Sequence, residues 1–323
     1  MSHLAVPSAP RGTTLAVALG LGCLCLAVPS GATVPGSNGL LVYEGLVGKH
    51  AQLFTIRSDG SGARQLTHFT DSDAVWPEWS PDGSAIAFER DVYVGRRVTR
   101  AVIYTMDADG SHLRALTPTG LNGRPSWSPD GRSIAFSTLS FGKQATVSIM
   151  PASGGRARVV TSTPLPAKGF GPGLDSPTFS PNGKQIAFVW IKQGSSAIFT
   201  VSAEGGKPHQ VTPWQMSVAD KVDWSPDGSR IAFSSPEFGV RKGVSSNIFT
   251  IRPDGTGLVR LTNSRGGVLN NGFDSWSPDG RKIAFASNRA GPYAIFTMNA
   301  NGTGITRVTR GPEAHHAAWG SHA

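Results

Sequence analysis

WSPDGSAIAF (79–88), WSPDGRSIAF (127–136), FSPNGKQIAF (179–188), WSPDGSRIAF (224–233) and WSPDGRKIAF (276–285) are near copies of one unit, and their starts lie 48, 52, 45 and 52 residues apart. A fixed period of this length marks a repeat architecture, in which each unit buries its apolar face against its neighbours. A second pattern follows each copy. It reads IYTMDADGSHLRALT (103–117), IFTVSAEGGKPHQVT (198–212), IFTIRPDGTGLVRLT (248–262) and IFTMNANGTGITRVT (295–309), with a looser version, VSIMPASGGRARVVT (147–161).

Each part has a local meaning. In Ser-Pro-Asp-Gly, Pro presets φ for a turn, Asp bonds back to the backbone and Gly takes a left-handed conformation without steric cost. The motif predicts a tight hairpin connection. Ile-Ala-Phe is then a short buried strand, and Ile-Phe-Thr-Met is the next one, with alternating character. Asp-Gly or Asn-Gly makes a second turn, and Arg-x-Leu-Thr closes a fourth strand. The unit is a four-stranded antiparallel meander of the size of one propeller blade.

The repeat aromatic occurs at Trp79, Trp127, Phe179, Trp224, Trp276 and Trp319, which is six times. The Ile-Ala-Phe position occurs first as Leu40-Leu41-Val42 and then in the five copies, again six times. The first unit thus opens on its second strand, and HHAAW (315–319) supplies a lone first strand at the other end. Pairing the two ends in one composite blade would close the ring and remove the exposed sheet edges. The expected fold is an all-β, six-bladed β-propeller over residues 39–323. The repeated aromatic is expected to fill the wedge between adjacent blades.

The composition agrees with a turn-rich β protein. Of the 323 residues, 40 are Gly and 23 Pro, whereas only 16% are charged and 39% are hydrophobic, which excludes a disordered chain. The formal net charge is +9. The basic residues are scattered through turns, and the densest run (Arg90, Arg96, Arg97 and Arg100) lacks interleaved aromatic residues. Nucleic acid is therefore not an expected partner.

The apolar run Leu15 to Val28 follows Arg11 and precedes the small residues Ser30, Gly31 and Ala32. This is the order of a secretory signal, with cleavage expected after Ala32 and a short linker over 33–38. Both cysteines, Cys23 and Cys25, lie in that run, so no disulfide framework is expected in the mature chain. Cys23 in LGLGC also offers a lipidation site, although Gly20 stands where such signals usually carry Leu. An uncleaved signal or a lipid at Cys23 is the expected route to a membrane, if there is one.

On these repeats the chain resembles the TolB-type, WD-like propeller family, over essentially all of residues 39–323. The resemblance implies the fold and, for TolB itself, a periplasmic protein that contacts envelope lipoproteins. The TolB family carries an α/β domain before its propeller. Only Thr33 to Asn38 separate the expected cleavage site from the first strand, so that domain is not expected here. Related propellers precede serine peptidase domains with a Gly-x-Ser-x-Gly nucleophile turn. No such motif occurs in this sequence, and a peptidase is not expected.

Functional groups in propellers converge where the innermost strands open at the central channel. Up to four residues before each aromatic stand Glu78, Arg124, Asp175, Asp220, Lys221, Asp223, Asp274, His315 and His316. These are the candidate binding residues. The competing reading pairs them with one another at a wet rim. Glu78 and Asp223, each directly before its Trp, are the candidate carboxylate pair for a lyase or hydrolase acting on sugars or lactones. Adjacent histidines on a strand point to opposite faces, which argues against one transition metal held by His315 and His316. No cofactor is expected, and Ca²⁺ is the ion that the acidic channel residues would suit. The aspartates of the repeat turns are structural. The functional expectation is a monomeric, non-catalytic scaffold of the cell envelope or exterior that binds a protein or a small ligand.

Overall fold

The computed structural model describes residues 35–95, 97–139, 144–164, 173–192, 194–236, 245–264 and 269–322; the side chains of Leu139, Pro164, Asp220, Phe273 and Asp274 are not among them. The expected signal segment, with Cys23, lies outside the described residues.

The architecture is an all-β propeller of antiparallel meanders. Among the described residues the strands form four four-stranded sheets and one eight-stranded sheet. A representative meander runs Ala219–Trp224, Ile231–Pro236, Ser246–Ile251 and Val259–Arg260. The eight-stranded sheet joins two such meanders through one parallel pair, Ala101 with Leu121. The strand Ala314–Ser321 pairs antiparallel with Asn38–Val47, setting Trp319 opposite Leu41. Among the described residues no helix is long and apolar enough to cross a membrane.

The Ser-Pro-Asp-Gly turn is held by two side chains that serve each other. Ser80 Oγ donates to Asp82 Oδ1 at 2.6 Å and accepts the Ala85 amide at 2.8 Å. Gly83 closes the turn at φ 71°, a left-handed conformation that favours glycine. The Ser128–Asp130, Ser225–Asp227 and Ser277–Asp279 pairs repeat the same bond at 2.6 Å. Burial pushes the Asp82 carboxyl up, but hydrogen bonds from Ser80 and Ser84 outweigh it and hold the group below its usual range.

The Ile-Ala-Phe strand divides its side chains between two blades. Ile86 and Phe88 pack with the Trp79 of their own blade, whereas Ala87 packs with Trp127, Ile134 and Phe136 of the next. Ala187 and Ala232 do the same toward Trp224 and Trp276. Strand alternation puts Ile and Phe on one face and Ala on the other. The small side chain leaves room for the large aromatic of the neighbour, so the blades pack closely without overfilling.

The Leu-Thr ending differs from the expected full fourth strand. In most meanders the outer strand is only two residues long, such as His209–Gln210. The Thr that follows completes the pairing with its side chain. Thr212 Oγ1 accepts the Ile198 amide at 2.8 Å, and Thr67, Thr117, Thr262 and Thr309 each take the equivalent amide at 2.9 Å. These threonines are buried. The loosest copy in the sequence is the one with a long outer strand, Arg158–Pro164, which pairs through its backbone instead.

Candidate functional site

The innermost strands do not run straight to their aromatic residue. Register shifts occur between Val75 and Glu78, Gly123 and Ser126, Asp175 and Thr178, Ala219 and Val222, and Gly272 and Ser275. Each shift is a bulge that ends two or three residues before the repeat aromatic. Bulges bend a strand and re-aim its side chains. Together with a matching shift where Ala314–Ser321 passes Val42 and Glu44, they turn Trp76, Arg124, Ser176 and His316 toward one pocket. All four adopt positive φ, at 54°, 55°, 49° and 41°. Bulky residues rarely hold this conformation, and such strain gathers where it serves a site. Pro77, Pro125 and Pro177 take the next position, where a bulge forgives the missing amide donor.

Buried carboxylates clamp two of these bulges. Glu44 Oε1 accepts the Trp76 amide at 2.6 Å, and Glu89 Oε2 accepts the Arg124 amide at 3.1 Å. The strand register makes Leu41-Val42-Tyr43, not the expected Leu40-Leu41-Val42, the counterpart of Ile86-Ala87-Phe88, with Leu40 left exposed, so Glu44 and Glu89 hold the same place directly after the buried triplet of the preceding blade. Gly123 makes room for Glu89, because a Cβ there would overlap the carboxylate. Asp223, 3% exposed, does a related task by accepting the Trp276 amide at 2.8 Å.

Burial governs the charge of these groups. Desolvation pushes Glu44 up to about 8, and the hydrogen bond from Trp76 and the positive charge of Arg124 only partly oppose it. Glu89 is raised well above the carboxylate range by burial and by neighbouring Asp91. Burial raises Asp91 as well.

Three of the re-aimed side chains stack. The Arg124 guanidinium lies over the Trp76 ring, 3.1 Å from its centroid. His316 lies on the same ring, with centroids 3.7 Å apart and planes at 40°. His316 Nδ1 stands 2.7 Å from Glu44 Oε2. Arg124 Nε meets Asp175 Oδ1 at 3.2 Å. Lys221 Nζ reaches Glu78 Oε2 at 3.2 Å, joining residues 143 apart in sequence.

Together these residues line a small pocket that is partly open to solvent. Of the residues expected from the sequence, Glu78, Arg124, Lys221 and His316 line it, and Asp175 touches it through Arg124. Asp223 is committed to the Trp276 amide. His315 pairs with Glu313 at 3.3 Å and lies against Tyr293. The side chains of Asp220 and Asp274 lie outside the described residues. Glu78 and Asp223, weighed as a carboxylate pair, are engaged by Lys221 and by a backbone amide. Among the described residues no group of three or more His, Cys, Asp or Glu side chains is placed to hold a metal ion.

Sequence reasoning missed Trp76, Glu44 and Glu89. Trp76 is neither a repeat aromatic nor a polar residue, so neither the repeat nor polarity marks it. Aligning the units on the residue three before the aromatic would have placed it beside Arg124, Ser176 and His316.

Residues 30–173 and 176–322 match the TolB beta propeller domain. A "Protein TolB homolog" from Chlorobium luteolum is 32% identical over 277 residues, which is 85% of this chain and 58% of that protein. An uncharacterized protein, Atu1656, from Agrobacterium fabrum is 29% identical over 216 residues, which is 65% of this chain and 64% of that one. The chain thus spans less than two thirds of either relative. The crystal structure of TolB from Acinetobacter baumannii superposes with a TM-score of 0.70 at 21% identity, over 88% of this chain and 68% of that one. At that identity the likeness shows the fold.

Proposed function

This chain belongs to the TolB beta propeller domain family, and from that premise we propose that it is an exported, non-catalytic binding scaffold of the bacterial cell envelope, with its binding surface at the channel pocket. The observation that carries this reading is the construction of the pocket. Strained bulges of successive inner strands aim Trp76, Arg124, Ser176 and His316 at one place, and buried carboxylates hold two of them there. Strain of this kind is retained when the position of the side chain matters. An aromatic ring flanked by an arginine, a histidine and prolines is suited to gripping a protein segment or small ligand. Glu78 and Asp223 are each committed to another partner, which leaves the glycosidase-like alternative without its pair of carboxylates.

The ring in this reading has six blades. Six repeat aromatics support the count. The eight-stranded sheet divides into two meanders at its single parallel pair, and the pairing of Ala314–Ser321 with Asn38–Val47 makes the composite blade. Export rests on the charged, apolar and small-residue order of residues 11–32. The protein works as a monomer, without nucleic acid and without a cofactor.

The test is partner capture from a cell-envelope extract. Purified protein is compared with an Asp220→Ala/Lys221→Ala/Asp274→Ala variant at a temperature where circular dichroism shows both forms folded. A protein retained by the wild type and lost with the variant is the expected result. Equal retention by both forms would move the binding surface away from the channel, and retention of nothing by either would overturn the stable scaffold.

A further inference from the structure

Arg124 is fixed more completely than an arginine needs to be for packing alone. Its backbone amide is held by Glu89 at 3.1 Å, its φ is 55°, its flat face covers Trp76, and its Nε meets Asp175. These contacts set the plane of the guanidinium and its rotation within that plane. Yet Nη1 is buried and has no acceptor among the described residues. A buried donor without an acceptor is costly, and protein interiors leave few of them. Arg124 lines the pocket together with the buried hydroxyl residues Ser126 and Ser176.

We propose that the channel pocket is a carboxylate-recognition site, with the unused edge of the Arg124 guanidinium as its anchor. The proposal rests on the channel being the binding surface, and it names what that surface reads. A carboxylate presents two coplanar oxygens at the spacing of the guanidinium fork, and the match is specific to that geometry. Stacking on Trp76 fixes the plane of the fork before any ligand arrives, so little side-chain entropy is lost on binding. Pro77, Pro125 and Pro177 form apolar walls beside the anchor. The ligand is therefore a carboxylate carried on a compact apolar group. A free organic acid, the C-terminus of a protein segment and an acidic side chain within a segment all present this chemistry.

Calorimetric titration of the full chain separates these sources. The probes are phenylacetate, acetyl-Ala-Ala-Ala-Phe with a free C-terminal carboxylate, the same peptide as its amide, and acetyl-Ala-Glu-Ala-Phe-amide. At least one carboxylate probe is expected to bind about tenfold or more tightly than the uncharged amide, which corresponds to the loss of one charge-assisted contact. Which probe binds identifies the source. Arg124→Lys keeps the charge and the stack on Trp76 but removes the fork, and is expected to erase that tenfold preference. Should this variant melt early, the Arg124 Nε–H resonance of the wild type is followed instead, and it is expected to shift with phenylacetate but not with phenylacetamide. Equal binding of acid and amide, or no binding and no shift with any acid, overturns the proposal. If partner capture from the extract still depends on the channel in that case, only the carboxylate assignment falls. If capture is also indifferent to the channel substitutions, the channel reading falls with it.

Discussion

The carboxylate of Glu44 accepts the backbone amide of Trp76 at 2.6 Å, across the boundary between two blades. Trp76 holds a left-handed φ of 54° that its bulk disfavours, and Glu44 is buried with its pKa pushed up to about 8. A desolvated acid and a strained backbone stabilise one geometry together, which places the Trp76 ring between Arg124 and His316.

A pH dependence follows from Glu44. Its folded value of about 8 lies above the ordinary glutamate value of 4.5, so the native state holds a proton that the unfolded chain releases. The resulting stability is complete below the unfolded value and is lost as pH rises through the folded one, at up to about 1.4 kcal/mol per pH unit. Glu44→Gln keeps an acceptor for Trp76 without a titrating proton. Urea denaturation at pH 5 and pH 9 is expected to show the variant gaining on the wild type at the higher pH. A difference that stays constant with pH would show that Glu44 is already ionised beside His316.

Gly123 and Glu89 are predicted to be coupled. A methyl group at position 123 would displace the Glu89 carboxylate that holds the Arg124 amide. Gly123→Ala is expected to cost on the order of 2 kcal/mol, and Glu89→Ala a similar amount. The double variant is expected to lose less than the sum, because the second change removes what the first collides with. Additive losses in a full mutant cycle would refute the coupling.

The threonine that ends each unit carries a backbone bond. Thr212→Val keeps the shape but leaves the Ile198 amide without its 2.8 Å acceptor in a buried setting. The expected cost is about 1–3 kcal/mol, read as a fall in the denaturation midpoint at unchanged slope. Replacing exposed Thr70 by Val is the control and is expected to change little.

Lys221 and Glu78 are far apart in sequence and 3.2 Å apart in space, with most of both side chains buried. Lys221→Glu sets two carboxylates together and is expected to destabilise the fold by about 3–5 kcal/mol. Adding Glu78→Lys is expected to recover most of the loss. Failure of the exchanged pair to recover, in melting experiments at low and high salt, would show that the two charges do not depend on each other.

The repeat was readable because its rules are local. Ser80, Asp82 and Gly83 lie within four residues of one another, and their turn chemistry does not depend on the rest of the chain. Ile86, Ala87 and Phe88 announce a buried strand by type alone, and the repeated aromatic names the blade to which it belongs. The role of the Leu-Thr ending was only half legible. Its place at the outer edge was expected, but a side chain replacing a ladder bond resembles any other threonine in sequence. Part of the pocket lining is legible for a related reason. Glu78, Arg124, Lys221 and His316 stand at local offsets from the aromatic, which mark them without showing how they meet.

The sequence by itself determined the meander, the order of its strands and the end of each inner strand from which side chains reach the channel, because turns and strand alternation act over a few residues. Only the tertiary structure decided the rest. It put Glu44 and Glu89 on the bulges of the following blades, laid Arg124 and His316 on Trp76, and joined Lys221 to Glu78. Each of these contacts links different repeats. Their energies depend on burial and on distances that arise only when blades pack, and no short-range pattern in the chain records them.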